Sequence, residues 1–388
     1  MVYDDLSEKQ LKLLYLASDN NASSGAFLCM VELLKTLRDN YNVYPIVILP
    51  FAGTGTNLLK KNNIKYKKIN SEDWIVKNDI KCNEIIKKWK NSLKNFYTII
   101  RLIRYIKNNR INIVHNNTIW TYVGAIAAKL SKIPCVWHIR ESIFYGMDSK
   151  IMIQSGYKLI NSSDKIISIS NAVLKSYPQI DKSKSVVIYD GVDQNRFYNE
   201  KHEIFISDKV KMICTGAIYE QKRQKDLVNA CSLLLNNGIN NWELKIVGLG
   251  AVEDLKEYIK ERNLDKYIEC TGEKDNVQDY MAESDISITP SLFEGFGRVT
   301  VEAMLSGCLV VASNSGGTPE IIKNLETGIL YEVKNCEDLC KKLMWAINNR
   351  EQCKYIAQKG RKYAKENFSS QKNAREIYNL YKEILKDK

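Results

Sequence analysis

The sequence predicts an α/β protein made of two doubly wound, Rossmann-like domains facing an inter-domain cleft. Three observations predict it. The chain has 388 residues, and at roughly 100 to 200 residues per domain two domains follow. Short apolar runs alternate with longer amphipathic ones. The alternation lapses after residue 190 and restarts near 210. Runs apolar on both faces, separated by helices, are the pattern of a parallel sheet covered on both sides.

In the first domain, 1–190, the expected strands are KLLYLAS (12–18), VYPIVILP (43–50), INIVH (111–115), CVWHI (135–139), KIISIS (165–170) and SVVIYD (185–190). AFLCMVELLKTLRD (26–39) and the run through YVGAIAAKL read as helices. In the second, 191–369, the strands are KMICTG (211–216), ELKIVG (243–248), YIECTG (267–272), ISITP (286–290) and CLVVAS (308–313). Helices are expected at about 222–237, 251–263, 275–283, 299–307 and 317–323. DGVDQNRFYNEKHEIFISD, polar and without hydrophobic periodicity, is the expected linker. After 335 the pattern is helical to the end, with no further strand. Ligands of such sheets bind beyond the carboxyl ends of the strands.

An apolar fraction of 45% supports real cores, and a net charge of +12 asks for an anionic partner. Nucleic acid, a phosphorylated small molecule and an anionic membrane all qualify by charge, but no nucleic-acid-binding signature is present. The ten cysteines are scattered, form no CxxC pair and read as reduced thiols, with no zinc site. MVYDDLSEKQ is no signal peptide, and no window reaches 18 uninterrupted apolar residues. A cytoplasmic protein is expected, peripheral on the inner face of the membrane if it meets a bilayer.

SLFEGFG (291–297) follows the ISITP strand and opens a helix, VTVEAMLSG. Gly295 and Gly297 let a backbone approach a ligand, and the helix start offers free N–H groups, which together make a phosphate cradle. Glu294 on one side and Glu302 on the other suit the hydroxyls of a sugar. The plain alternative is a strand–helix turn in which Glu302 complements the helix dipole. SNSGGTPEII (313–322) places Gly316 and Gly317 before another helix start: a second ligand loop, or good capping chemistry. Gly25 in SSGA opens the first helix, where it lets a phosphate or sugar approach; the plain alternative is a βα turn. Lys222, Arg223 and Lys225 sit where they oppose a helix dipole, which favours a diphosphate over a merely solvated face. Of three histidines, His138 ends a strand just before Arg140 and Glu141, His115 ends another, and His202 reads as surface. A satisfied core histidine is the commoner reading for His138. GLGAVE (248–253) is only a partial dinucleotide turn. From Lys77 to Arg110, Ile86, Trp89, Leu93, Phe96, Ile100, Ile103 and Ile106 recur at helical spacing among basic residues. That is either a core-packed helix or, over about 82–108, contact with an anionic bilayer or lipid-linked acceptor.

Taken together, EGFGRVTVE with Glu294 and Glu302, SISNAVLKSY, VIYDGVDQNRF, the Lys222 region, SDISITPS, GGTPEII and TGILYE resemble the retaining glycosyltransferases of the family 4 type, which have the GT-B fold. The resemblance covers nearly the whole chain and is densest over 186–331. It implies that Glu294 touches the transferred sugar and Glu302 the nucleotide ribose. It implies that the backbone of Gly295, Phe296 and Gly297 lines the sugar–diphosphate and that Lys222 neutralises it. His138 would contact the sugar near the reacting carbon, Gly25 would belong to the first domain's glycine loop, and a last helix, 370–388, would pack back on the first domain. Two positions depart from the family: Ala217 stands where an arginine is common, and Ser24 where a first glycine is. Arg223 or Arg298 would then replace the missing cation. The implied activity is transfer of a hexose-type sugar, from a UDP-sugar in preference to a GDP-sugar and without metal, to a saccharide or lipid-linked saccharide acceptor in surface polysaccharide biosynthesis. The alternatives are a GT-B nucleotide-sugar epimerase and a non-catalytic nucleotide-sugar-binding subunit.

Overall fold

A computed structural model describes residues 10–145, 147–153 and 155–387, apart from the side chains of Asn83 and Lys87. All but the last residue of MVYDDLSEKQ lies outside them. The chain divides into two compact units, one running to Gly191 and resuming at Ser370, the other Val192–Ser369.

In the first unit the strands are β1 (Leu11–Leu16), β2 (Val43–Leu49), β3 (Lys65–Lys68), β4 (Ile75–Lys77), β5 (Ile113–Asn117), β6 (Cys135–Ile139), β7 (Ser149–Ile151), β8 (Lys165–Ser168) and β9 (Ser185–Val187). The main sheet has the order β3-β2-β1-β5-β6-β8-β9 and pairs parallel throughout, while β4 and β7 form a small antiparallel pair. The order reverses between β1 and β5, the switch point where such sheets hold ligands. Three of these strands escape a hydrophobic reading. Lys65-Tyr66-Lys67-Lys68 is a charged edge strand, with no apolar run to detect. β4 and β7 have three residues each.

Helix Gly25–Tyr41 starts at Ser24, whose hydroxyl accepts from the Phe27 N–H at 3.4 Å. It buries Phe27, Met30, Leu33, Leu34 and Leu37 against the sheet. The last helix, Ser370–Lys386, completes this core with Ala374, Ile377, the adjacent Leu380 and Tyr381, and Ile384, one face of a helix. Lys165 pairs with Glu383 at 2.7 Å, and Asn373 donates to the Tyr189 carbonyl at 2.7 Å.

The second unit contains β10 (Val210–Thr215), β11 (Trp242–Val247), β12 (Ile268–Gly272), β13 (Ile286–Thr289), β14 (Leu309–Ser313) and β15 (Ile329–Tyr331), in the parallel order β12-β11-β10-β13-β14-β15. Its switch point lies between β10 and β13. The polar stretch expected as a linker is not free. From Val192 on it folds onto this unit, burying Phe197, Ile204 and Phe205, and Arg361 donates to the Asn199 carbonyl at 2.6 Å. Three apolar anchors suffice without any periodicity. The glycines of GLGAVE have a structural reason: a Cβ on Gly248 would stand 1.9 Å from the Gly216 carbonyl oxygen, so two loops touch there.

Candidate active site

The loops after β10 and β13 flank the second unit's switch point, and they are joined. The Leu292 N–H donates to the Gln221 carbonyl at 2.7 Å. Lys222 Nζ donates to Glu294 Oε1 at 2.5 Å, and Ser291 Oγ donates to the same oxygen at 2.5 Å. Neither donor engages Oε2. Burial opposes the charge on Lys222, but the Glu294 carboxylate beside it, with smaller contributions from Tyr219 and Cys214, raises its pKa on balance. Lys222 keeps 22% side-chain exposure.

The second glycine loop sets this carboxylate in place. Gly316 lies at φ +59°, and a Cβ there would meet the Glu294 backbone oxygen at 2.3 Å. The Gly317 N–H donates to the Glu294 carbonyl at 2.8 Å. Ser313 and Ser315 hydroxyls donate to the carbonyls of Ser291 and Leu292, each at 2.6 Å. GGTP therefore works as a buttress for the Glu294 loop.

Helix Arg298–Ser306 begins at Gly297 (φ +106°) and ends at Gly307 (φ +89°). Phe296 is buried against Phe368, with ring centroids 5.6 Å apart, so it contributes a side chain to the core as well as backbone to the loop. The two arginines considered as replacement cations are both engaged locally. Arg298 Nε donates to Glu302 Oε1 at 2.7 Å, one turn along the helix. Arg223 holds Asp226 through Nε at 2.8 Å and Nη2 at 2.9 Å. Among the described residues no group of three or more His, Cys, Asp or Glu side chains is arranged to hold a metal ion.

In the first unit Gly25 is exposed at its helix start, and a Cβ there would meet nothing within 4 Å. His138 is the penultimate residue of β6 and is fully buried. Its Nδ1 lies 3.2 Å from His115 Nε2 and 3.4 Å from Arg140 Nη2. Arg140 is itself buried, ion-paired with Asp190, and donates from Nε to Asn117 Oδ1. Burial and then the Arg140 charge hold both imidazoles well below the ordinary histidine pKa. His138 is thus a core histidine, but not a satisfied one: its Nε2 has no partner among the described residues. Asp190, from the VIYDGVDQNRF segment, belongs to this cluster, as do Tyr15 and Tyr381, which carry no motif in the sequence. His202 is partly buried, with Nδ1 2.7 Å from the Ser306 carbonyl, rather than free at the surface.

The basic stretch forms two helices, Cys82–Ser92 and Lys94–Asn109. The apolar stripe divides. Leu102 and Ile106 enter the core, whereas Ile86, Trp89, Leu93, Phe96 and Tyr97 are exposed, Leu93 by 70%. Trp89 and Leu93 edge a cavity of ≈ 330 Å³ with Trp74, Tyr122, Met152 and Ile153. Lys90 and Lys94 are exposed on the same helices, and Lys81 is exposed just before the first. No described helix is long and apolar enough to cross a membrane.

Each of the two α/β units carries a parallel sheet with a switch point, and the second brings a cation and a carboxylate together there. The solved structure of Anabaena HepE in complex with UDP and glucose superposes with a TM-score of 0.77, covering 95% of this chain and 99% of that one at 21% identity, which shows the GT-B fold. Residues 195–363 match the model for glycosyl transferases group 1, and residues 79–196 the model for glycosyltransferase family 4. An uncharacterized glycosyltransferase of Methanocaldococcus jannaschii is 28% identical over 298 residues, 75% of this chain and 80% of the relative. The Escherichia coli UDP-Gal:α-D-GlcNAc-diphosphoundecaprenol α-1,3-galactosyltransferase is 25% identical over 280 residues, 66% and 72% of the two chains. The chain belongs to the family 4-type glycosyltransferases of GT-B fold.

Proposed function

We propose that this glycosyltransferase moves a hexose-type sugar from a UDP-sugar to a saccharide or lipid-linked saccharide, with retention of configuration, in surface polysaccharide biosynthesis. The observation that carries the reading is the Lys222–Glu294 pair, brought from two loops to the switch point and buttressed by Gly316 and Gly317. Support for the donor comes from the HepE complex with UDP and glucose, and for the acceptor from the diphosphoundecaprenol substrate of the E. coli relative.

In this reading Glu294 accepts from sugar hydroxyls and Glu302 from the ribose. The backbone of Gly295, Phe296 and Gly297 follows the diphosphate, and Gly25 leaves room for donor atoms. His138 donates to the sugar. The bond from the anomeric carbon to the diphosphate oxygen breaks. The acceptor oxygen bonds to that carbon on the same face, and its proton passes to the departing diphosphate. Lys222, with the N–H groups at the start of helix Arg298–Ser306, stabilises the charge that develops there. Arg223 and Arg298 join it on giving up Asp226 and Glu302. The positive charge comes from these side chains rather than from a metal ion. The exposed apolar and basic face of helices Cys82–Ser92 and Lys94–Asn109 rests on an anionic bilayer surface, placing the enzyme peripherally on the cytoplasmic side.

Thermal stabilisation by UDP, GDP, ADP and their sugars tests the donor, because a ligand of the folded state raises its melting point. UDP compounds are expected to give the largest shift; a larger shift with GDP compounds overturns the choice of base. NMR of the product's anomeric centre tests retention. Release of an altered sugar without any acceptor would identify an epimerase instead. Tight donor binding with no turnover on any acceptor would identify a binding subunit.

A further inference from the structure

The buried cluster around His138 decides which ring nitrogen carries its proton. An arginine has donors only, so Arg140 Nη2, 3.4 Å away, requires a lone pair on His138 Nδ1. The neutral ring then carries its proton on Nε2. His115 Nε2, 3.2 Å from the same Nδ1, can bond to it only as a donor, which makes His115 the Nε2–H tautomer with its one proton shared between His138 and Tyr15 Oη. Its Nδ1 keeps a lone pair, which accepts from Tyr381 Oη at 2.7 Å. Tyr15, paired in register with His115 across β1 and β5, stacks on it with ring centroids 4.1 Å apart, and its oxygen lies 2.9 Å from Nε2. Arg140 is fixed by Asp190 and Asn117. The His138 Nε2–H is left over, buried and without a partner among the described residues. Buried donors are seldom left unpaired without a use.

We propose that His115 and Tyr381 are positioning residues: they hold neutral His138 in the Nε2–H tautomer, so that it offers one fixed donor to an oxygen of the transferred sugar. The inference rests on the reading of His138 as a sugar contact. It makes the terminal helix, which supplies Tyr381, part of the catalytic apparatus as well as of the core.

The chain has three histidines, so ¹⁵N-imidazole NMR of the intact protein resolves them, with His202→Gln assigning the third. Both His115 and His138 are expected as Nε2–H tautomers. Tyr381→Phe keeps the ring in the core and removes the hydroxyl. It is expected to bring Nδ1–H character into His115 and to lower kcat about fivefold with donor KM within about twofold, as for one lost hydrogen bond. His115→Leu is expected to lose about tenfold or more, while His115→Gln, whose amide still donates, recovers most of it. A wild-type His138 protonated on Nδ1 overturns the proposal, as does unchanged kcat in both Tyr381→Phe and His115→Leu. If the tautomers are as expected but His138→Ala transfers sugar normally, the sugar-contact reading has failed and the functional half of the proposal falls with it. The tautomer measurement itself needs no turnover, so the two failures are told apart.

Discussion

Lys222 Nζ and Glu294 Oε1, 72 residues apart in sequence, lie 2.5 Å from each other. Each serves as the other's counter-ion before any donor arrives. Under the proposed function, a diphosphate entering the site would compete for the ammonium and a sugar hydroxyl for the carboxylate. Glu294→Gln is expected to lower kcat by about 10²-fold or more, and Lys222→Met likewise, since each removes a charge acting on the reacting groups. Lys222→Met should also weaken binding of free UDP, whereas Glu294→Gln should leave it nearly unchanged. Wild-type turnover in Glu294→Gln would remove its assigned role.

Gly316 and Gly25 make opposite predictions. Gly316→Ala places a Cβ against the Glu294 backbone at positive φ. It should cost about 2 kcal/mol or more of stability and, by displacing Glu294, reduce kcat. Gly25→Ala meets nothing, so its stability should change by less than about 0.5 kcal/mol. A loss of donor affinity in Gly25→Ala therefore reports ligand contact rather than a damaged fold. Urea unfolding and donor titration of both variants check this.

The two buried imidazoles set a pH dependence. Their folded-state pKa values are depressed below 6.5, so below that pH each of these rings binds more protons in the unfolded chain than in the folded one. Their contribution to stability is complete above pH 6.5. It is lost as pH falls, at up to about 1.4 kcal/mol per pH unit for each ring. From pH 6.5 to 5.5 wild type should lose more stability than His115→Gln, on a background in which Glu141, pushed up to about 7 by burial, titrates with the opposite sign. Equal decline in wild type and His115→Gln would contradict the neutral assignment of His115.

Charge reversal at Lys81, Lys90 and Lys94 tests the membrane surface. Each basic residue near an anionic bilayer is worth about 1 kcal/mol, roughly fivefold in partitioning. Flotation with vesicles containing phosphatidylserine should fall steeply in the triple glutamate variant, and should fall for wild type at high salt. Flotation indifferent to both changes would count against the surface.

The doubly wound α/β class was legible because parallel strands are continuous apolar runs, and KMICTG or ISITP show that in any order of reading. The Glu294–Glu302 loop was legible as a motif because its residues are neighbours in the chain. β3 was hidden because an edge strand of lysines carries no apolar signal. The packing of 192–208 was hidden because Phe197, Ile204 and Phe205 follow no period. The amphipathic stripe from Ile86 to Ile106 was visible, but one periodicity describes both a buried and an exposed face. Only tertiary packing decided that Leu102 and Ile106 enter the core while Trp89 and Leu93 do not.

By itself, then, the sequence determined which local segments become strands and helices, and which glycines and carboxylates stand together, because those depend on near neighbours. Tertiary structure decided the partners: Lys222 with Glu294, Gly316 under the Glu294 backbone, and Tyr381 on His115 across 266 residues. Charge pairing and histidine tautomers act over ångströms of space, and chain distance carries no record of them until the sheets are formed.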